Sequence, residues 1–402
     1  MRKSASTVTV TRELPKSLAR AIFFGLGLTF LVFSVSACAL LKPPPDDTKG
    51  VRNWLVVPVF FATNRRFDGS RGGVDFAEAL NANGLTFGVK NVAVPVPIYS
   101  PVDHDSEKRM LWLRIEKEDV NKEGTPDFDR AKCPIKDSTI ERDQIVARFK
   151  AYMKATGSKE TVIFVHGCCA TFDTSLKRAA RLSAHMQAPV LAYDWISPRG
   201  FTKYLENETL ARQSLDDFCR FLGQAEKILG PGNISLLGHS MGALFIDEAM
   251  VRRSAQNIIS LNPPGRFAEL IMSNADLDAR TFLNHASQFD ANAARSRIYI
   301  STADSRLNAS AIAHGGFKRL GEPGPLTEDL AKTSGHELID ITANNSGHEL
   351  PFWIVANLHR FGNLGSVKEY QLQPAGQNLD RLVLTGTPSK EAEKASADCH
   401  EQ

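Results

Sequence analysis

An α/β fold, with a mostly parallel sheet and helices on both faces, is what this 402-residue sequence predicts. Three observations carry that expectation. From Thr161 onward, short apolar runs alternate with helical patterns, as in successive strand–helix–strand units. The strand-like runs are Thr161–Val165, Pro189–Ala192, Asn233–Leu237, Glu269–Met272, Arg297–Ile300 and Glu337–Thr342. Between them lie the helical patterns Thr174–Met186, Leu205–Leu229, Met241–Arg253 and Ala279–Ala291. Second, Gly238-His239-Ser240-Met241-Gly242 sits between a strand and a helix, the setting of a nucleophile elbow. Third, 43% hydrophobic and 23% charged residues over this length suffice for one large soluble domain with appendages.

Taken in order, the chain opens on a targeting pattern. Arg2, Lys3, Arg12, Lys16 and Arg20 precede the apolar stretch Ala21–Val35, and Ser36-Ala37-Cys38 follows. A basic region, an apolar region and small residues before a cut describe a secretory signal. Val35-Ser36-Ala37-Cys38 also resembles the bacterial lipobox, in which the cysteine is acylated. The expectation is a signal peptide over 1–37, a lipidated Cys38 and a Pro-rich tether over 38–54, with the protein exported and held on a membrane of the cell envelope. An uncleaved anchor is the alternative, since Ala21–Leu41 is long enough to span. Residues 1–37 hold five basic residues and one acidic, a net +4; subtracting it from the chain's +3 leaves −1. No basic stripe remains, which argues against nucleic acid as a partner. After Cys38 come Cys133, Cys168, Cys169, Cys219 and Cys399, whose spacing fits no zinc pattern.

The expected catalytic domain runs over 55–365. Leu55–Ala62, Leu85–Val96 and Met110–Ile115 read as N-terminal strands, antiparallel additions to the sheet, with Asp68–Asn83 as a Gly- and Asn-rich loop. Ser138–Thr156 has helical spacing, with Ser138 placed to cap it. A last helix spans about Pro351–Phe361. Residues 366–402 form a C-terminal extension, and Thr385–Gln402 is polar enough to be disordered.

In a parallel sheet, functional residues gather beyond the carboxyl ends of the strands. His166-Gly167-Cys168-Cys169 follows the first strand of the alternating region. The backbone N–H of Cys168 and that of Met241 are the expected oxyanion donors. Ser240 is the expected nucleophile, His348 the base and Asp304 the acid that orients it. Asp276 competes with Asp304, because both follow strands. Ser-Gly-His-Glu-Leu occurs twice, so His336 and His348 share one local sequence. Strand direction separates them: His336 precedes Glu337–Thr342 and His348 follows it. His314 and His359 are lesser candidates. No metal or cofactor is expected.

Over about Val57–Phe361 the chain resembles a bacterial branch of esterase-like α/β hydrolases. The resemblance rests on Phe61-Ala62-Thr63-Asn64-Arg65, Phe87-Gly88, Phe164-Val165-His166-Gly167, Trp195 with Ser197, Gly238–Gly242, Ala275-Asp276-Leu277-Asp278 and Gly347-His348. It implies the α/β-hydrolase fold and the chain order serine, acid, histidine, with the acid after the later strand, which favours Asp304. Two departures stand out. Cys168-Cys169 replaces the usual Tyr-Asn, and Ile196 replaces a proline. A backbone donor survives such side-chain changes, although the substrate's surroundings change. The implied activity is serine hydrolysis of an ester or related acyl bond in a small-molecule or lipid substrate. Acyl transfer by the same residues, and an inactive binding module of the envelope, are the alternatives.

Overall fold

A computed structural model describes residues 53–68, 75–96, 139–259, 265–344, 347–361 and 370–384. The signal segment, Cys38, the tether, the Met110–Ile115 run, Cys133 and Cys399 lie outside them. Among the described residues, no helix is long and apolar enough to cross a membrane.

The strands are β1 (Asn53–Thr63), β2 (Arg65–Asp68), β3 (Asp75–Leu80), β4 (Thr86–Val96), β5 (Thr161–Val165), β6 (Val190–Asp194), β7 (Ile234–His239), β8 (Glu269–Ser273), β9 (Ser296–Ile300), β10 (Glu337–Asp340), β11 (Tyr370–Gly376) and β12 (Leu379–Leu384). One sheet carries the order β11-β12-β10-β9-β8-β7-β5-β6-β1-β4. Its pairings are parallel except at the flanks, where β4 runs antiparallel to β1 and β11 antiparallel to β12. Every residue of β5, β7, β8 and β9 is buried, which explains their near-continuous apolar sequences.

Helices α1 (Thr139–Thr156), α2 (Phe172–Met186), α3 (Tyr204–Gln213), α4 (Leu215–Leu229), α5 (Gly242–Ile259), α6 (Ala279–Asn292), α7 (Ser305–Ala313), α8 (Pro325–Thr333) and α9 (Phe352–Phe361) complete the fold. Alternate strand residues feed two cores. Ile163, Val165 and Leu236 pack with Phe218 and Phe221 of α4, Phe245 of α5 and Phe282 of α6. Val162, Phe164 and Leu237 pack with Leu176 of α2 and Ile354 and Leu358 of α9. Helices thus cover both faces, as expected.

The differences from expectation have local causes. The single helix expected over Leu205–Leu229 is broken at Ser214 into α3 and α4. Tyr193 Oη donates to Ser214 O at 2.9 Å, and Asn64 Nδ2 donates to Ser214 Oγ at 2.7 Å. Tertiary hydrogen bonds thus compete for the groups at that turn. The expected loop 68–83 contains β3, paired with β2 in a separate two-stranded ribbon. The extension beyond 365 contributes β11 and β12 to the main sheet. β11 reads poorly as a strand because it is an edge carrying Pro374 at a register shift. β10 ends at Asp340, earlier than the expected Thr342, and a short 3-10 turn occupies Thr342–Asn344.

Candidate active site

β7 delivers the chain to Ser240, whose φ is 54°. A non-glycine residue in this left-handed region is strained and is held there by its surroundings. Ser240 N donates to Ser273 O at 2.9 Å, while Ser240 O accepts from Ala243 N at 3.0 Å and Asp276 N at 3.2 Å. Two glycines let neighbouring chains close on this turn. A Cβ on Gly242 would collide with the Val165 carbonyl oxygen, and one on Gly167 would lie 2.7 Å from Ser240 Cβ. The amino end of α5 begins directly behind Ser240, placing a partial positive charge there.

Ser240 is 1% exposed, and its Oγ lies 2.8 Å from His348 Nε2. The other ring nitrogen, Nδ1, lies 2.7 and 2.9 Å from the two Asp304 carboxylate oxygens. That contact assigns the proton to Nδ1 and leaves Nε2 to accept from the serine hydroxyl. Asp304 also receives Asn274 Nδ2 at 2.9 Å and the N–H groups of Arg306 and Leu307 at 3.1 Å. Burial pushes its carboxyl upward. The hydrogen bonds, led by that from His348, overcome burial and hold it below the ordinary carboxylate value. Asp304 therefore stays ionised.

The rival residues stand elsewhere. Asp276 accepts from Arg319 Nε at 2.7 Å, Ser310 Oγ at 2.6 Å and Tyr204 Oη at 2.6 Å. Its carboxylate ties α3, α7 and the Arg319 loop together. His336 is buried against Phe282 and Phe289, before β10 begins. His314 Nε2 contacts Glu208 at 3.1 Å, and His359 Nδ1 contacts Glu269 at 2.5 Å.

Two supporting residues escaped the sequence reading. Asn274, at φ 49°, bridges the acid to the histidine loop, because its Nδ2 also reaches Gly347 O at 3.1 Å. His239, inside G-x-S-x-G, donates from Nε2 to the His348 carbonyl at 2.8 Å. Burial first, and His348 second, push the His239 imidazole well below its usual value, so it is neutral. The signal for Asn274 was present, in a polar Ser-Asn pair at the carboxyl end of a strand. Nothing local distinguishes His239.

The loop 166–170 that carries the candidate oxyanion donor is pinned from below. Asp194, fully buried, accepts from Arg65 Nε at 2.8 Å and from Thr63 Oγ1 at 2.8 Å. Burial opposes its ionisation, but Arg65 and His166 bring its carboxyl down to about 2. Arg65 also donates to Ala170 O, and Trp195 Nε1 to His166 O, both at 2.8 Å. Met241 is buried and Cys168 half-buried. Among the described residues there is no group of three or more His, Cys, Asp or Glu side chains placed to hold a metal ion. An apolar pocket beneath α1, lined by residues such as Phe60, Phe149, Phe221 and Leu229, shares no lining residue with Ser240, His348 or Asp304.

The family described as "Alpha/beta hydrolase of unknown function (DUF900)" matches residues 141–358, more than half of the chain. No curated protein matches the sequence. Among solved structures, an esterase of Pyrobaculum calidifontis is similar at 11% identity and TM-score 0.29, over 52% of this chain and 74% of that one. A chain from Lactobacillus plantarum WCFS1, provisionally named a cell surface hydrolase, is similar at 12% identity and TM-score 0.31, over 60% of this chain and 97% of that one. A fold with this sheet order, an elbow at Ser240 and a family match spanning β5 to α9 leads to one conclusion: the chain belongs to the α/β hydrolase family DUF900.

Proposed function

We propose that the protein is a serine hydrolase that cleaves a carboxylic ester or related acyl bond through an acyl-enzyme on Ser240. The observation that carries this reading is the continuous hydrogen-bonded chain from Ser240 Oγ through His348 to Asp304. In this mechanism Ser240 Oγ attacks the acyl carbon as His348 Nε2 takes its proton. The N–H groups of Met241 and Cys168 stabilise the oxyanion of the tetrahedral intermediate. His348 then gives the proton to the leaving alcohol, and the acyl group stays on Ser240. A water molecule, deprotonated by His348, attacks that ester; as the intermediate collapses, His348 returns the proton to Ser240 Oγ and the carboxylic acid leaves. Asp304 remains ionised throughout and stabilises the imidazolium.

The test is labelling with a fluorophosphonate, followed by rates on a graded series of acyl esters. Labelling at Ser240 and measurable turnover are expected; a folded protein that neither labels nor turns over any member would refute the reading.

The membrane location is part of the same proposal. Basic residues, an apolar stretch and Val35-Ser36-Ala37-Cys38 support an exported lipoprotein anchored through an acylated Cys38. The intact mass of native protein should lack residues 1–37 and include added lipid. A mass that retains 1–37 without lipid would restore the uncleaved anchor.

A further inference from the structure

We propose that Cys168 and Cys169 form a reversible vicinal disulfide that switches the oxyanion hole off. For its consequence on activity, this inference rests on the serine-hydrolase reading; for the bond itself, it does not. The two sulfur atoms lie 3.3 Å apart, and both residues are partly exposed, so an external disulfide can reach them. Cys169 has φ 63°, a left-handed conformation that brings its side chain back beside that of Cys168. The Cys169 sulfur also lies 3.6 Å from Gly200 O and 4.0 Å from Asn207 Nδ2.

The pair is electrically asymmetric. Its mutual hydrogen bond holds the Cys169 thiol below its usual value against burial, and Arg306 adds to that effect. The same contact, with burial, pushes Cys168 well up. The thiolate is the attacking form, so Cys169 reacts first.

The step balances with a disulfide R–S–S–R as oxidant. Cys169 thiolate attacks one sulfur, the S–S bond breaks, and one RS⁻ leaves, giving a mixed disulfide. Cys168 loses its proton and attacks Cys169 Sγ, expelling the second RS⁻. The net change is two cysteine thiols oxidised and one external disulfide reduced to two thiols.

Adjacent residues have Cα atoms about 3.8 Å apart, shorter than the roughly 4.4–6.8 Å of ordinary disulfides. The ring is therefore strained and easily reduced, as a switch requires and a structural staple does not. Closing it must rotate the peptide between the two residues. That peptide's N–H is the one Cys169 donates to Ser197 Oγ at 2.6 Å. Losing this anchor moves the backbone beside it, including the Cys168 N–H. One oxyanion donor is commonly worth about a hundredfold or more in rate.

The experiment equilibrates the full-length protein in buffers of reduced and oxidised glutathione. Free thiols are then alkylated, the 168–169 peptide is weighed, and the rate of fluorophosphonate labelling is measured in parallel. Oxidation should remove the mass of two hydrogen atoms from that peptide and block alkylation at both cysteines. Labelling should slow by about a hundredfold and recover in dithiothreitol. In Cys169→Ser, the ratio of oxidised to reduced labelling rates should be near one. Two free thiols under excess oxidised glutathione would overturn the proposal, as would glutathione trapped on either residue without ring closure. A disulfide that forms without slowing the label would overturn the switch. Failure to label even when reduced would instead count against the serine reading, because the peptide mass makes no use of Ser240.

Discussion

Ser240→Ala is expected to abolish fluorophosphonate labelling and to lower ester turnover by at least about a thousandfold, with the fold unchanged. Ser240 occupies φ 54°, and alanine tolerates that region about as poorly as serine does, so the substitution adds little strain. Its side chain makes one described hydrogen bond, to His348 Nε2 at 2.8 Å. Removing it deletes the atom that would attack and spares the bonds of Ser240 N and O that shape the turn. Thermal unfolding should accordingly shift by no more than a few degrees, in keeping with a small local change. His348→Ala should cost a similar factor, since groups that act as one unit lose their effect together. His336→Ala is the control with the same flanking sequence, and it should keep most of the activity, with its cost paid in the packing of Phe282 and Phe289. Full-strength labelling of Ser240→Ala would move the nucleophile elsewhere, with the sulfur atoms of Cys168 and Cys169 the first places to look.

Much of this arrangement is legible in the sequence where one physical signal dominates. β5, β7, β8 and β9 are buried on both faces, so their apolar runs stand out without any periodicity. Strand direction then places His348, and not His336, on the side of Ser240, although their local sequences are identical. Other features depend on partners distant in sequence. Ser214 divides a helix only because Asn64 and Tyr193 reach it. α7 is hidden because it is short and buries only Leu307, Ser310 and Ala311, so its apolar pattern is slight. Asn274 gains its role from a left-handed turn and from two contacts, at 30 and 73 residues' separation. β11 lacks an apolar pattern because it is the sheet edge, and its described side chains are exposed or half-buried.

The acid is the residue for which geometry adds most to sequence. Asp304→Asn is expected to lower turnover on the order of ten-thousandfold, while Asp276→Asn should act mainly on stability. An asparagine at 304 can present its NH₂ group to His348 Nδ1, which would then accept, leaving the proton on Nε2. In that tautomer the imidazole cannot take the proton of Ser240, although every heavy atom stays in place. Asp276 faces Arg319, Ser310 and Tyr204, so its neutralisation leaves a largely buried guanidinium without its carboxylate. Its cost appears in the unfolding midpoint and in the anchoring of α3 and α7. A second readout, stability against pH, tests Asp304 on its own. The Asp304 carboxyl lies below its unfolded value, so its stabilising contribution is full above that unfolded value, near pH 4. It is lost as pH falls through the folded value. Asp304→Asn removes that contribution, and the urea midpoint should fall less steeply below pH 4 than in the parent protein. The decisive comparison is turnover of the two variants at neutral pH, normalised to folded protein. A folded, inactive Asp276→Asn beside a working Asp304→Asn would transfer the acid to the end of β8, and would require His348 to leave the carboxylate that it meets at 2.7 Å.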